Sequence, residues 1–394
     1  MISVSEAKRT IQENVTPLGE IILPLRQAFG KTLAEDIYSN IDMPAYPQSS
    51  MDGYAFIFSE WQQIGTLQVM GEMAAGAQNE LQLQPNQAAR IFTGAPIPSN
   101  ADTVVMQEKV IRVGDTITIQ DEQLQEGSNV RPIGSEIRKG ELALEKGNTL
   151  SPSAIGFLAG IGIAEVKIYR QPTVSIIVTG KELQQIGKPL AFGQVYESNS
   201  LTLTAALEKF GATDITVYHA DDYLDVLTET LQEALSKSDM VLLTGGISVG
   251  DYDFVLQACN NCGVQQHFHK IKQKPGKPLY FGKLHEKVVF GLPGNPSSVL
   301  TCFYQYVLPA IGLLANTSLT LQNVHAPLAK AVRKPAGITQ FLKGYYDGFE
   351  ASALGAQESY RMSSFAKANC LIQLNEGIAE VKEKETVLVY LLPE

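Results

Sequence analysis

Between residues 172 and 312 the chain alternates between strand-like and helix-like segments, and no other feature of it restricts its fold so tightly. The apolar runs Val174–Val178, Asp214–Tyr218, Met240–Leu243, Val264–Phe268 and Lys287–Phe290 are separated by helical stretches at 199–210, 222–237, 253–261 and 297–312. Strand, helix and strand in turn close into βαβ units, which predicts a mostly parallel, doubly wound sheet. Such a sheet binds ligands beyond the carboxyl ends of its strands, so the loops there are where chemistry is expected.

The flanking segments read differently. Residues 3–15 predict an amphipathic helix in which Ser3 caps, Glu6 takes the capping-box position and Val4, Ala7, Ile11 and Val15 form one stripe that needs a partner surface. From Asp42 to Gly140 short β-type runs (Leu67–Met70, Ala88–Phe92, Thr103–Met106, Val110–Val113, Thr116–Ile119) are broken by Gly, Pro and Asn. Residues 141–171 return to mixed structure, with a helix expected from Ser153 to Gly160. After Leu313 only short strands recur, at Gln340–Lys343, Cys370–Leu374 and Thr386–Leu391. The expected architecture is multidomain α/β plus β and elongated. It has a split helical domain (1–41 and 141–171), an inserted β-rich domain (42–140), an α/β domain (172–312) and a C-terminal β-barrel or sandwich (313–394).

The 31 basic and 41 acidic side chains leave a formal charge of -10, which disfavours nucleic acid or an anionic membrane surface as a partner. The opening Met-Ile-Ser-Val-Ser-Glu-Ala-Lys-Arg has no apolar core of signal-peptide length, and no run of roughly 18 apolar residues is evident. A cytoplasmic protein is expected, and four cysteines in a chain of this size suit a reducing compartment. Cys259 and Cys262, followed by His267 and His269, do not match the spacing of a zinc finger and read as thiols at a helix end.

Three glycine-bearing loops fall at the expected strand ends: Thr179–Glu182, Thr244–Asp251 and Gly291–Ser298. Gly245, Gly246 and Ser248 make an anion nest backed by a helix start. Between the loops lies Lys270-Ile-Lys-Gln-Lys-Pro-Gly-Lys277, with no acidic residue from Phe254 to His285. A lysine run is ordinarily a solvated edge, but Pro275 and Pro278 stiffen this one and hold Lys274 and Lys277 in a fixed relation suited to an oxyanion. Glu182, Asp221, Asp222, Asp251 and Asp253 stand close by in sequence, and carboxylates beside phosphate donors imply a bridging Mg²⁺. Asp222 and Asp253 read equally well as helix N-caps, and Asp52 before Gly53 as a turn residue.

Taken together, Met51-Asp-Gly-Tyr-Ala55, Thr93-Gly-Ala-Pro-Ile-Pro98, Ala101-Asp-Thr-Val-Val-Met-Gln-Glu108, Thr244-Gly-Gly-Ile-Ser-Val-Gly250, Lys274-Pro-Gly-Lys-Pro278 and Gly291-Leu-Pro-Gly-Asn-Pro296 resemble, in order and spacing, the molybdopterin molybdenumtransferases, the MoeA family that includes the E domain of gephyrin. The resemblance implies the same four-domain organisation and a homodimer whose active site joins the α/β domain of one subunit to the MDGYA segment of the other. The implied reaction inserts molybdate into adenylated molybdopterin with Mg²⁺-dependent release of AMP, downstream of a molybdopterin adenylyltransferase.

The same resemblance implies site residues. Asp52, Glu182, Asp222, Asp253, Lys274 and Lys277 are expected to be catalytic, with Glu182, Asp222 and Asp253 holding the metal. Thr93, Arg131, Gly245, Gly246, Ser248, Pro293, Asn295, Pro296 and Ser298 are expected to bind the substrate. In the C-terminal domain Lys343 and Ser359 or Ser363 are the nearest matches to the family's molybdate-side arginine and serines. Four positions depart from the family pattern: Lys181 and Glu136 replace aspartates, Leu256 a lysine, and Lys343 an arginine, whose bidentate fork is lost. A molybdopterin adenylyltransferase and a non-catalytic gephyrin-like scaffold are the competing readings.

Overall fold

Six strands build the sheet that the alternating pattern predicts: β1 (Val174–Thr179), β2 (Ile215–Ala220), β3 (Met240–Thr244), β4 (Gln265–His269), β5 (Tyr280–Leu284) and β6 (Lys287–Leu292). In this computed structural model, which describes residues 1–247 and 254–393, they lie in the order β2-β1-β3-β6-β5-β4. The first four are parallel, with Ile176 opposite both Val217 and Leu242, and Leu242 in turn opposite Phe290. The β5 strand is antiparallel to both its neighbours and was not expected. Its five residues Tyr-Phe-Gly-Lys-Leu sit at the end of the lysine-rich stretch and carry no period long enough to stand out.

Because helices cover both faces of the parallel part, its inner strands are largely apolar on both sides, and β1 and β3 are buried along their whole length, whereas the edge strand β2 is partly exposed. One face carries Ile176, Val178, Leu242 and Phe290, and the other Ile177, Val241, Leu243 and Val289. The stripe Val4, Ala7, Ile11 and Val15 of the N-terminal helix Val4–Asn14 packs into the first of these clusters. That helix starts where expected, since Ser3 and Glu6 exchange capping-box hydrogen bonds, a device worth about 1 kcal/mol.

The sheet, the N-terminal helix and the C-terminal strands form one unit (residues 1–21, 30–32 and 168–394), and residues 22–29 and 33–167 form another. The C-terminal part has a sheet in which Thr339–Tyr346, Cys370–Leu374, Thr386–Leu391 and Asn323–Pro327 are antiparallel neighbours. Gln273–Lys274 extends that sheet, pairing in parallel with Thr339–Gln340. In the other unit the five β runs expected of the insertion all become strands of a six-stranded sheet, together with Gly53–Phe56.

Residues Pro296–Leu314 make one 19-residue helix, long and apolar enough to cross a membrane, which the apolar runs of the sequence do not reveal. Its apolar window is 83% buried inside the protein, and Ser297, Ser298, Thr301 and Gln305 are buried with it, as befits a core helix. Its middle, Phe303–Val307, widens into a π-turn.

Candidate functional site

The carboxyl ends of β1, β3 and β6 open onto a cleft of about 510 Å³ lined by Thr179, Gly180, Glu182, Glu197, Asn199, Asp222, Gly245, Gly246, Pro278, Pro293, Asn295 and Pro296, among others. The strand ends create it because each chain leaves the sheet through a glycine loop. Gly245 has φ +91°, and a Cβ there would lie 2.4 Å from the Thr179 carbonyl oxygen, so only glycine lets this loop pass so close to its neighbour. Four buried side-chain atoms around these loops, Thr179 Oγ1, Thr244 Oγ1, Asn199 Oδ1 and Ser297 Oγ, have no hydrogen-bond partner among the described residues. Buried polar atoms are nearly always paired, and such a group at the mouth of a cleft marks where a polar ligand would complete it.

Two of the expected carboxylates line this cleft. Glu182 folds back so that its oxygens lie about 3 Å from where a Gly180 Cβ would stand. Asp222 accepts the Lys181 N–H at 3.3 Å. It does not cap the following helix Leu224–Lys237, whose N-cap is Tyr223 without a side-chain bond, so its carboxylate is not spent there. The Lys181 ammonium, one of the departures from the family pattern, lies 4.2 Å above the Tyr223 ring. Ser248, Asp251 and Asp253 lie outside the described residues.

A second cavity, of about 400 Å³, shares Pro278, Pro293 and Asn295 with the first and is lined also by Lys274, Lys277, Ser298, Gln357 and Ser359. The lysine turn therefore faces the third glycine loop, through Pro293, Asn295 and Ser298, rather than open solvent alone. Gly276 within it has φ +93°, and a Cβ there would lie 2.5 Å from Cys302 Sγ. The Asn295 side chain donates to Ser359 Oγ at 3.0 Å, and the Ser297 N–H to the Ser359 carbonyl at 3.1 Å, which ties the 293–298 loop to the C-terminal domain.

Lys343 serves a different end from the one expected. It is 3% exposed, and its ammonium donates to the carbonyls of Ala356, Glu358 and Arg361 at 2.7, 3.2 and 3.0 Å. An ammonium has three protons, and all three are taken, so Lys343 holds the loop that carries Ser359 rather than an oxyanion. Ser363 is exposed in the short helix Met362–Phe365.

Sequence reasoning overlooked Glu197 and Asn199. Glu197, 8% exposed, accepts the Ser200 N–H at 2.8 Å and the Ser200 hydroxyl. Asn199 donates to the Gly294 carbonyl at 2.9 Å. The available signal was an acidic residue followed by Ser-Asn at a helix start, which reads as capping and nothing more.

In the other unit Asp52 and Thr93 meet. Both the Thr93 N–H and its hydroxyl donate to Asp52 Oδ1 at 2.8 Å, and these bonds hold the exposed carboxyl below its usual range. Arg90 donates to the Gly53 carbonyl at 2.8 Å beside them. Arg131 is exposed in a two-residue strand opposite Gln48.

Cys259 is buried in the helix Phe254–Asn261, Cys262 follows it, and no cysteine forms a disulfide. Among the described residues no group of three or more His, Cys, Asp or Glu side chains could hold a metal ion by itself.

Residues 2–162 match the family described as the MoeA N-terminal region (domain I and II), residues 175–312 a probable molybdopterin binding domain, and residues 325–392 the MoeA C-terminal region (domain IV). The chain is 37% identical to the molybdopterin molybdenumtransferase of Haemophilus influenzae over 99% of this chain and 98% of that one. It is 34% identical to that of a Nostoc species over 94% and 88%. Two crystal structures of a molybdopterin biosynthesis MoeA protein from Pyrococcus horikoshii superpose with TM-scores of 0.85 and 0.82 at 30% and 29% identity; the first match covers 99% of both chains and the second 100%.

Proposed function

This chain belongs to the MoeA family of molybdopterin molybdenumtransferases, and from that membership we infer that it is a transferase of molybdenum cofactor biosynthesis, moving molybdate onto adenylated molybdopterin with release of AMP. One observation supports the chemistry above the rest: two exposed lysines on a stiff turn line a cavity that shares Pro278, Pro293 and Asn295 with the cleft of the glycine loops and two carboxylates.

The reading assigns the pterin phosphate and pyrophosphate to the Gly245–Gly246 backbone and the unpartnered hydroxyls around it, and molybdate to Lys274, Lys277 and Ser298. Pre-set N–H groups and ammoniums stabilise developing negative charge without reorganising, and that is the main task of a protein in oxyanion transfer. Glu182 and Asp222 are hard oxygen ligands of the kind Mg²⁺ takes in ones and twos alongside substrate phosphate, so their fit is to an ion shared with substrate rather than to a protein cage. Bound there, Mg²⁺ would neutralise charge on the pyrophosphate oxygens as the bond to AMP breaks.

The chain is further read as a cytoplasmic homodimer, supplied by a molybdopterin adenylyltransferase, in which Asp52 of one subunit completes the cleft of the other. Asp52 suits that role because Thr93 fixes its carboxylate at the surface without shielding it. The test is a reconstituted reaction with adenylated molybdopterin, molybdate and Mg²⁺. AMP release that Lys277→Ala abolishes supports the reading, whereas formation of the adenylate from ATP and molybdopterin would make the chain an adenylyltransferase. Mixing inactive Asp52→Asn and Lys277→Ala chains, with subunit exchange, should restore about a quarter of wild-type activity if sites are shared across a two-fold interface, and none if each chain is complete alone.

A further inference from the structure

The lysine turn rests on a buried polar support that no part of the reaction requires for itself. Lys274 and Lys277 are exposed, but Gln273 before them is 2% exposed, and its side chain is engaged at both ends. Its Nε2 donates to the Pro275 carbonyl at 2.7 Å, inside the turn, and its Oε1 accepts the Tyr306 hydroxyl. Tyr306, 1% exposed, belongs to the π-turn Phe303–Val307 of the core helix. One extra residue in a helical turn rotates the next turn by about 100° relative to an unbroken α-helix, and such insertions recur where a side chain must be re-aimed. Cys302, at the entrance to the π-turn, packs its sulfur 3.8 Å from both Gln273 Nε2 and the Gly276 carbonyl.

Pro275 and Pro278 have no N–H to offer, so the turn is poor in internal hydrogen bonds. The Ile271 N–H closes its far end on the Lys277 carbonyl at 2.9 Å, and Gln273 supplies a side-chain bond to its middle. A neutral amide and a phenol add no charge that could attract a substrate anion, and both are almost wholly enclosed, although Gln273 contributes to the wall of the cavity that Lys274 and Lys277 line. Their placement bears on where the two ammonium-bearing residues stand.

We propose that Gln273 and Tyr306 are positioning residues for molybdate binding, acting through the 274–277 turn, with Tyr306 acting through Gln273. The proposal rests on the reading of Lys274 and Lys277 as oxyanion ligands. Oxyanion binding by two ammoniums depends on their separation, and a turn freed at its centre would lose affinity for the smaller substrate first.

The experiment measures AMP release while molybdate and adenylated molybdopterin are varied in turn, for wild type, Gln273→Met, Tyr306→Phe, the double variant and Lys277→Ala. Thermal midpoints are recorded alongside. Gln273→Met should raise the KM for molybdate about tenfold, with the KM for adenylated molybdopterin changing less than about twofold. Tyr306→Phe, which removes a single hydroxyl and keeps the ring, should raise it about threefold. The double variant should match Gln273→Met alone, because Tyr306 then has nothing to act through. A lowered thermal midpoint with an unchanged molybdate KM in both single variants would make the pair a core hydrogen bond and overturn the proposal. Equal increases in both KM values would overturn it too. If Lys277→Ala keeps wild-type AMP release and molybdate KM, the underlying reading of the lysine turn has failed; if it abolishes AMP release or raises the molybdate KM while the Gln273 and Tyr306 variants do neither, only the positioning role has failed.

Discussion

Replacing Lys8 with methionine would measure the cost of burying one ammonium. Lys8 Nζ donates to Gln305 Oε1 at 2.7 Å and lies 5.2 Å from the centre of the Tyr390 ring, beside a cavity of about 360 Å³ whose lining includes no acidic residue. Burial pulls its pKa down from 10.5 to about 8. The unfolded chain therefore binds this proton more tightly than the folded one between pH 8 and 10.5, and stability must rise with pH in that window. Linkage with those two values gives a gain of about 2 kcal/mol between pH 7 and 9.5. Methionine removes the charge, but it also strips the 2%-exposed Gln305 of its donor, which costs about 1–3 kcal/mol. These opposing effects are of similar size at pH 7, so the variant's absolute stability decides nothing, and the pH slope does. Urea unfolding at pH 7, 8, 9 and 9.5 should show the wild type gaining about 2 kcal/mol on Lys8→Met as pH rises, since every group the two share cancels in the difference. Far-UV circular dichroism is the right probe, because the single tryptophan, Trp61, belongs to the other compact unit. A constant stability difference across the series would refute the reasoning.

Three further outcomes are expected from particular contacts. Burial alone would raise the Asp239 pKa, but the Arg170 guanidinium at 2.7 and 2.8 Å and the Thr173 N–H outweigh it and lower it. That stability is present above the unfolded carboxyl pKa and is lost as pH falls through the folded one, so Arg170→Met should cost about 2 kcal/mol at pH 7 and flatten the acid limb of the stability curve. Lys343→Met strands three carbonyls, and limited trypsin digestion should cut after Arg361 at least several-fold faster than in wild type. Burial pushes the Cys302 and Cys370 thiols up to about 12 and leaves Cys259 1% exposed. A thiol reagent at pH 8 and subsequent peptide mapping should therefore find the half-buried Cys262 modified first, and the other three only on unfolding.

The α/β part was legible because its strands are buried on both faces and so read as continuous apolar runs. Val174–Thr179 and Met240–Thr244 are buried at every residue, and only Ser175, Thr179 and Thr244 interrupt their apolar runs. The Tyr280–Leu284 strand escaped because its apolar residues are interrupted by Gly282 and Lys283. A neighbour on each side makes it a strand, and strand propensity yields to such context. The Pro296–Leu314 helix was expected in place but shorter. Its polar members, Ser297, Thr301 and Gln305, break the apolar run in one dimension, although each is buried in three.

At the site, the sequence indicated which loops matter better than it indicated what each side chain does. Glycines report backbone approach, and Gly245 and Gly276 stand where a Cβ would collide with Thr179 and Cys302. That information is local to the residue and survives in one dimension. A lysine's role is not local, since it depends on how many acceptors surround its three protons, and those come from elsewhere in the chain. Lys274 and Lys343 look alike as text, each next to a glycine or one residue removed from it in a β-type stretch, but one is exposed in a cavity and the other is enclosed by three carbonyls. Exchanging the family's arginine for Lys343 therefore does more than lose a fork. An arginine carries five donors, so three could hold the loop and two could still reach an anion, whereas an ammonium bound to three carbonyls has none left. Lys343→Arg should for that reason lower the KM for molybdate in this chain, and an unchanged or higher KM would show that the loop, rather than a direct contact, is what the position supplies.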